Sequence, residues 1–143
     1  MNCEQFVLIS LAAGGEATYS PVQVQKLLFL LERKAGKAFD GPYFNFRPYD
    51  YGPFDKDVYQ VLDRLSDRGF VEIVGLPFER GRQYRLTSKG QIEGSKMLGQ
   101  IPVPYRNFVA TLSNFVRSLT FSQLVSAIYR EYPEMKANSI FNG

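Results

Sequence analysis

Apolar residues recur along this chain mostly at three- and four-residue steps, the mark of helices with one buried face. Residues 4–13 (EQFVLISLAA) are the exception, being apolar on nearly all sides before Gly14-Gly15, and this predicts a buried first helix. Ser20-Pro21-Val22-Gln23 then reads as a capping box. Ser20 accepts from the third helical N–H, Pro21 takes the first helical position and Gln23 reaches back. Val24, Leu27, Leu28, Leu31 and Ala35 continue at helical spacing to Gly36, predicting a second helix over 21–35.

The pattern then breaks. Phe39, Tyr43, Phe44, Phe46, Tyr49, Tyr51 and Phe54 gather seven of the chain's 21 aromatic residues (12 Phe and 9 Tyr) among Gly41-Pro42, Pro48 and Gly52-Pro53. Such spacing predicts a loop with one short extended piece at Tyr43 to Arg47. A third helix is expected to start near Pro53 to Asp55, to bury Phe54, Val58, Val61, Leu62 and Leu65, and to stop at Gly69. Two short strands follow, Phe70 to Val74 and Gln83 to Thr87, joined by the Gly/Pro/Arg-rich segment Gly75 to Arg82. Thr87 or Ser88 caps a fourth, weaker helix reaching about Leu98. Beyond Ile101-Pro102-Val103-Pro104, a fifth helix should bury Phe108, Leu112, Phe115 and Leu119. Thr120 and Gln123 form another capping box, with Leu119 and Leu124 placed as its hydrophobic staple. The sixth helix carries Leu124, Val125, Ile128, Tyr129 and Tyr132, and Pro133 closes it. Residues 134–143 receive no assignment. The expected fold is mainly α with a small β-hairpin: one domain over 1–143, its core at about 20–99 and further helices over 104–133.

Composition narrows the chemistry. At 143 residues, 45% hydrophobic and 22% charged, the chain has the makeup of an ordinary globular domain. Histidine and tryptophan are absent and Cys3 is the single cysteine. That excludes histidine-based nucleophile pairs and metal sites, intrachain disulfides and Cys-x-x-Cys motifs. The expected location is the cytoplasm. The apolar stretch Phe6 to Ala13 contains Ser10 and follows no basic cluster, unlike a signal peptide, and nothing approaches the length of a membrane span. The net charge of +3 lies in one segment: over 78–96, Arg80, Arg82, Arg85, Lys89 and Lys96 face only Glu79 and Glu93.

A helix ending in LDRLSDRGFVEIV, a short arm, and then RQYRLTSKG with a closing helix resembles the winged-helix pattern of MarR- and PadR-type regulators. In that resemblance the helix before Gly69 is the recognition helix, the arm is the wing, and Leu86-Thr87-Ser88-Lys89-Gly90 opens the closing helix. A wider stretch is similar to the Panacea antitoxin-domain family. It comprises VQKLLFLLERKAG, YDYGPFDKDVYQVLDRLSDRGFVE and AIYREYPEMKANSIF, with Lys26-Leu27-Leu28, Tyr51-Gly52-Pro53 and Val58-Tyr59 at the family's motif positions. The C-terminal half departs from the family pattern. This resemblance implies a regulatory module that binds a protein partner, in several members a toxin encoded alongside.

Three site readings follow from the residues. Phe44, Phe46, Arg47, Tyr49, Tyr51, Gly52 and Pro53 have the aromatic and arginine content of a protein-docking surface, with most of the phenylalanines (Phe39, Phe44, Phe46, Phe54) expected inside. The alternative is duplex-DNA binding through a basic wing of Arg80, Arg82, Arg85 and Lys89. Against it, the polar face of the third helix sets Asp55, Asp57, Asp63 and Asp67 against Lys56, Arg64 and Arg68, an acid excess that a polyanion repels. Catalysis is the weakest reading. Asp50, Asp55, Asp57 and Lys56 resemble a metal-nuclease set only superficially, because acids at a helix start are favoured by the helix dipole alone. The expectation is therefore a non-enzymatic module, antitoxin-like or adaptor in kind, with no cofactor and no metal. Homodimerisation through residues 105–132 is a further expectation. Cys3 reads as a small buried hydrophobe and Lys26 as a side chain snorkelling from the core face.

Overall fold

The computed structural model describes residues 1–75 and 81–142. Helix α1 (Cys3–Ala12) begins at a capping box between Asn2 and Gln5, and every residue from Phe6 to Ala12 is buried. Its uniform apolarity has a positional cause: α1 is the central helix, with five other elements packed around it. These are α2 (Pro21–Ala35), α3 (Asp57–Asp67), α4 (Ser88–Leu98), α5 (Val103–Ser118) and the strand β4 (Arg82–Leu86). The core therefore starts with α1, well before residue 20, and extends to Met135. Ser10, the one polar residue in that run, donates to the Phe6 carbonyl at 2.7 Å.

The Ser20/Gln23 box caps α2 as its sequence predicts, and the Thr120/Gln123 box likewise caps α6 (Phe121–Glu131). Strand β3 (Val71–Gly75) pairs antiparallel with β4, Ile73 opposite Tyr84, giving the expected mainly α chain with a small hairpin. Residues 76–80, which include Arg80 and most of the arm, lie outside the described residues. Tyr19 adds an unforeseen rung, exchanging two 2.8 Å backbone bonds with Tyr84.

Two expectations are corrected. The extended piece is not at Tyr43 to Arg47 but at β1 (Arg47–Tyr49), which pairs with β2 (Gly52–Phe54). The Glu32 carboxylate on α2 accepts the N–H groups of Tyr43 and Phe44, so that stretch is tied to a helix and has no strand partner among the described residues. Pro53 and Phe54 are thereby drawn into β2, and α3 starts later, at Asp57. Asp55 organises its entry: one carboxylate oxygen accepts from the Asp57 N–H at 2.9 Å and the other from the Asn45 N–H at 2.8 Å. The second correction concerns α5, which buries Val109, Leu112, Ser113 and Val116. Phe115 is 39% exposed, while Phe108 and Leu119 are only half-buried. The Ser113 hydroxyl, 2.7 Å from the Tyr19 hydroxyl and 3.1 Å from Arg117 Nε, draws a polar position inward and turns the helix. Val116→Ala is expected to cost roughly 2 kcal/mol and Phe115→Ala about 0.5 or less. Urea unfolding followed by circular dichroism distinguishes the two, and equal costs would contradict the observed face.

Candidate functional site

The β1–β2 turn carries Tyr51-Gly52-Pro53 onto the middle of α2. Gly52 has φ of +100°, and a Cβ there would lie 3.3 Å from the Tyr129 ring and 3.7 Å from Lys26 Cε and Nζ. Glycine is thus required twice, by conformation and by close approach. Directly beneath, Lys26 Nζ donates to the Pro53 carbonyl at 3.1 Å. Only 3% of Lys26 is exposed, so it does not snorkel: the turn covers it. Burial pushes its ammonium down from 10.5 to about 7. Beside it, Gln25 clasps the backbone of Asp55, donating to its carbonyl at 2.9 Å and accepting its N–H at 3.1 Å.

Around Lys26 opens a cleft of about 530 Å³, walled by Val22, Tyr49, Tyr51, Phe54, Tyr59 and Phe121. The rings brace one another. Tyr49 stacks on Phe54 at 5.1 Å, Tyr51 meets Phe121 edge-on at 5.1 Å, and Phe54 meets Tyr59 at 5.8 Å. The chain's last residues strap the same turn from outside. Ile140 N–H donates to the Asp50 carbonyl at 2.9 Å, the Ser139 hydroxyl reaches the same oxygen at 3.3 Å, and the Asn138 amide donates to the Pro48 carbonyl at 3.2 Å.

The seven residues proposed for docking separate into two groups. Tyr49, Tyr51 and Gly52 line the Lys26 cleft, with Pro53 buried behind them. Phe44 and Phe46 face the other way, half-buried over Phe29 in a second depression of about 690 Å³ that also takes in Glu32, Arg33 and Tyr105. Arg47 is exposed at the start of β1. Phe39 is fully buried, whereas Phe54 is half-buried. The sequence places Lys26 and Tyr59 at motif positions without assigning either to the site, and it gives no pointer to Phe121. The available signal was a lysine placed within the apolar stripe of α2, where a charge is out of place unless something meets it.

Among the described residues, the basic segment is largely engaged within the chain. Arg85 pairs with Glu72 at 2.8 Å and Arg82 lies 3.9 Å from Asp63. Lys89 Nζ donates to the Arg68 carbonyl at 2.9 Å and sits 4.4 Å above the Phe70 ring. On α3, Arg64 and Arg68 both turn to Glu4 of α1, while Asp57, Asp63 and Asp67 are exposed. Arg80 lies outside the described residues. The Leu86–Gly90 turn acts as a clasp. Thr87 Oγ1 donates to the Gly69 carbonyl at 2.6 Å and accepts the Gly90 N–H at 3.0 Å.

Cys3 is half-buried, and burial raises its thiol to about 11, so it is protonated at neutral pH. Among the described residues no group of three or more Cys, Asp or Glu side chains is placed to hold a metal ion, and no helix is long and apolar enough to cross a membrane. Compared with known proteins, the chain matches no family model and no curated protein, so a functional reading rests on the site's geometry.

Proposed function

We propose that this chain is a non-enzymatic cytoplasmic regulatory module, antitoxin-like or adaptor in kind, that docks a protein partner through the β1–β2 turn. The observation that carries the reading is Tyr49, 53% exposed on a turn held from both sides by Lys26 and by the C-terminal strap. A large aromatic side chain already fixed in place loses little conformational freedom on binding, the property that makes interface hot spots. The alternative, a winged-helix regulator gripping duplex DNA with Arg80, Arg82, Arg85 and Lys89, is less well supported. Arg85 and Lys89 already have partners in the chain, and α3 turns three aspartates to water.

Affinity purification from the native host, followed by calorimetry with the purified partner, tests the reading. Tyr49→Ala is expected to weaken that complex by about 2 kcal/mol, or roughly thirtyfold, and Tyr51→Ala to weaken it as well. Unchanged affinity in both variants would remove the docking site from this turn. Salt-sensitive binding to random duplex DNA, lost when Arg80, Arg82 and Arg85 become alanine, would instead favour the DNA-binding alternative.

A further inference from the structure

Lys26 is a buried amine in a cleft where, among the described residues, one acceptor meets it. Lysine has three N–H donors, and among the described residues one is used, on the Pro53 carbonyl at 3.1 Å. Among the described residues no carboxylate lies within ion-pair distance of Nζ. Asp50 lines the same cleft, but no ion pair joins it to the amine. The Gln25 side-chain amide, which lines the same cleft, is already committed at both ends to the Asp55 backbone. A buried ammonium without a counter-ion is costly, and lysine is rarely so deeply placed unless it is paired. The rest of the cleft is mainly aromatic, with Ser20, Gln25 and Asp50 also in its lining, and its volume of about 530 Å³ falls within the roughly 300–1,000 Å³ typical of small-molecule sites.

We infer that this cleft is a binding site for a small apolar carboxylate, the anion resting on Lys26 and the hydrocarbon body lying between Tyr51, Tyr59 and Phe121. Protonated, the amine offers donors alone, so an anion suits it and a second cation does not. The carboxylate supplies the missing counter-charge through a charge-assisted hydrogen bond to an amine that is itself buried. The aromatic walls select a flat or branched apolar body over a sugar or a phosphate-rich ligand. Binding is non-covalent. The site shares Tyr49, Tyr51 and Gly52 with the docking turn, yet the inference does not rest on docking, because it concerns the isolated chain and a small molecule.

Fluorine NMR titration of the full chain with para-trifluoromethylbenzoate and its neutral amide, para-trifluoromethylbenzamide, provides the test. The benzoate is expected to bind saturably and at least about tenfold more tightly than the amide. Lys26→Met should reduce its affinity to that of the amide, with circular dichroism confirming that the variant folds. Phe121→Ala, which removes a wall and keeps the amine, should weaken both probes. In wild-type chain carrying isotope-labelled lysine, one buried ε-methylene resonance should shift with the benzoate and not with the amide. Absence of saturable benzoate binding, equal affinity for the two probes, or a benzoate preference that survives Lys26→Met would each overturn the inference. Should Lys26→Met fail to fold, a lysine spectrum indifferent to the benzoate is sufficient to overturn it.

Discussion

Gly90→Ala is expected to destabilise the fold by about 3 kcal/mol or more, although alanine is the better helix former by about 1 kcal/mol. Gly90 lies in the first turn of α4, and a Cβ there would fall 1.9 Å from the Phe70 carbonyl oxygen and 2.9 Å from its carbon. Both atoms are backbone, and that backbone is held on either side. Phe70 N–H donates to the Leu65 carbonyl at 2.9 Å, and its own carbonyl accepts from Thr87 N–H at 3.1 Å. No side-chain rotation can relieve the overlap, so α4 must move away from the α3–β3 corner, breaking the Thr87 and Lys89 clasps together. Gly36→Ala is the control. Gly36 has φ of −52° and open space around its would-be Cβ, so the change is expected to be neutral or slightly stabilising. Urea unfolding of both variants gives the comparison. A Gly90→Ala chain as stable as wild type would mean that the α4–β3 approach is looser than described.

Lys26→Met is expected to act in the opposite direction, stabilising the ligand-free chain at neutral pH by about 3 kcal/mol. The ammonium falls from 10.5 to about 7 on burial. At about 1.36 kcal/mol for each pH unit, that places a proton-linked penalty of roughly 4 kcal/mol on the folded state at pH 7. Loss of the bond to the Pro53 carbonyl returns about 1 kcal/mol of it. The sign follows from proton counting. Between about pH 7 and 10.5 the unfolded chain holds a proton on Lys26 that the folded chain lacks, so wild-type stability rises with pH across that window. The penalty is complete below the window and gone above it. Tyr19, whose phenol is raised above 10.0 by burial, opposes the rise at the upper end, so measurements belong below that point. In Lys26→Met the rise should disappear. If the variant and wild type keep parallel pH profiles, Lys26 is solvated and the cleft is not built as described.

The same residue shows where sequence reading reached its limit. Helices α2 and α6 were legible to the residue at their starts, because a Ser or Thr and a Gln three positions later satisfy orphan N–H groups without help from elsewhere. The β3 and β4 strands were legible to within a residue, and of the two candidate caps, Thr87 and Ser88, it is Thr87 that caps α4 and also bonds Gly69. Positions whose environment is set by remote segments were not legible. Phe115 and Val116 are both apolar and adjacent, and the choice between them depends on Tyr19, 94 positions before Ser113. Docking composition was visible in residues 43–54, but its division between two faces depends on Glu32 pulling Tyr43 and Phe44 one way while Lys26 and Gln25 hold Pro53 and Asp55 the other.

Local chemistry along the chain thus dictated which segments are helix and which form the β3–β4 hairpin, where most of them begin and stop, and that the net positive charge lies in one short stretch. Such features depend on hydrogen bonds and side-chain spacing within a few residues, and they need no knowledge of the fold. Whether a basic group is quenched by a neighbour, as Arg85 is by Glu72, or buried with no counter-ion among the described residues, as Lys26 is, depends on which distant surfaces come together. Solvation and Coulomb energies change steeply with burial and distance, and neither quantity exists until the chain has folded.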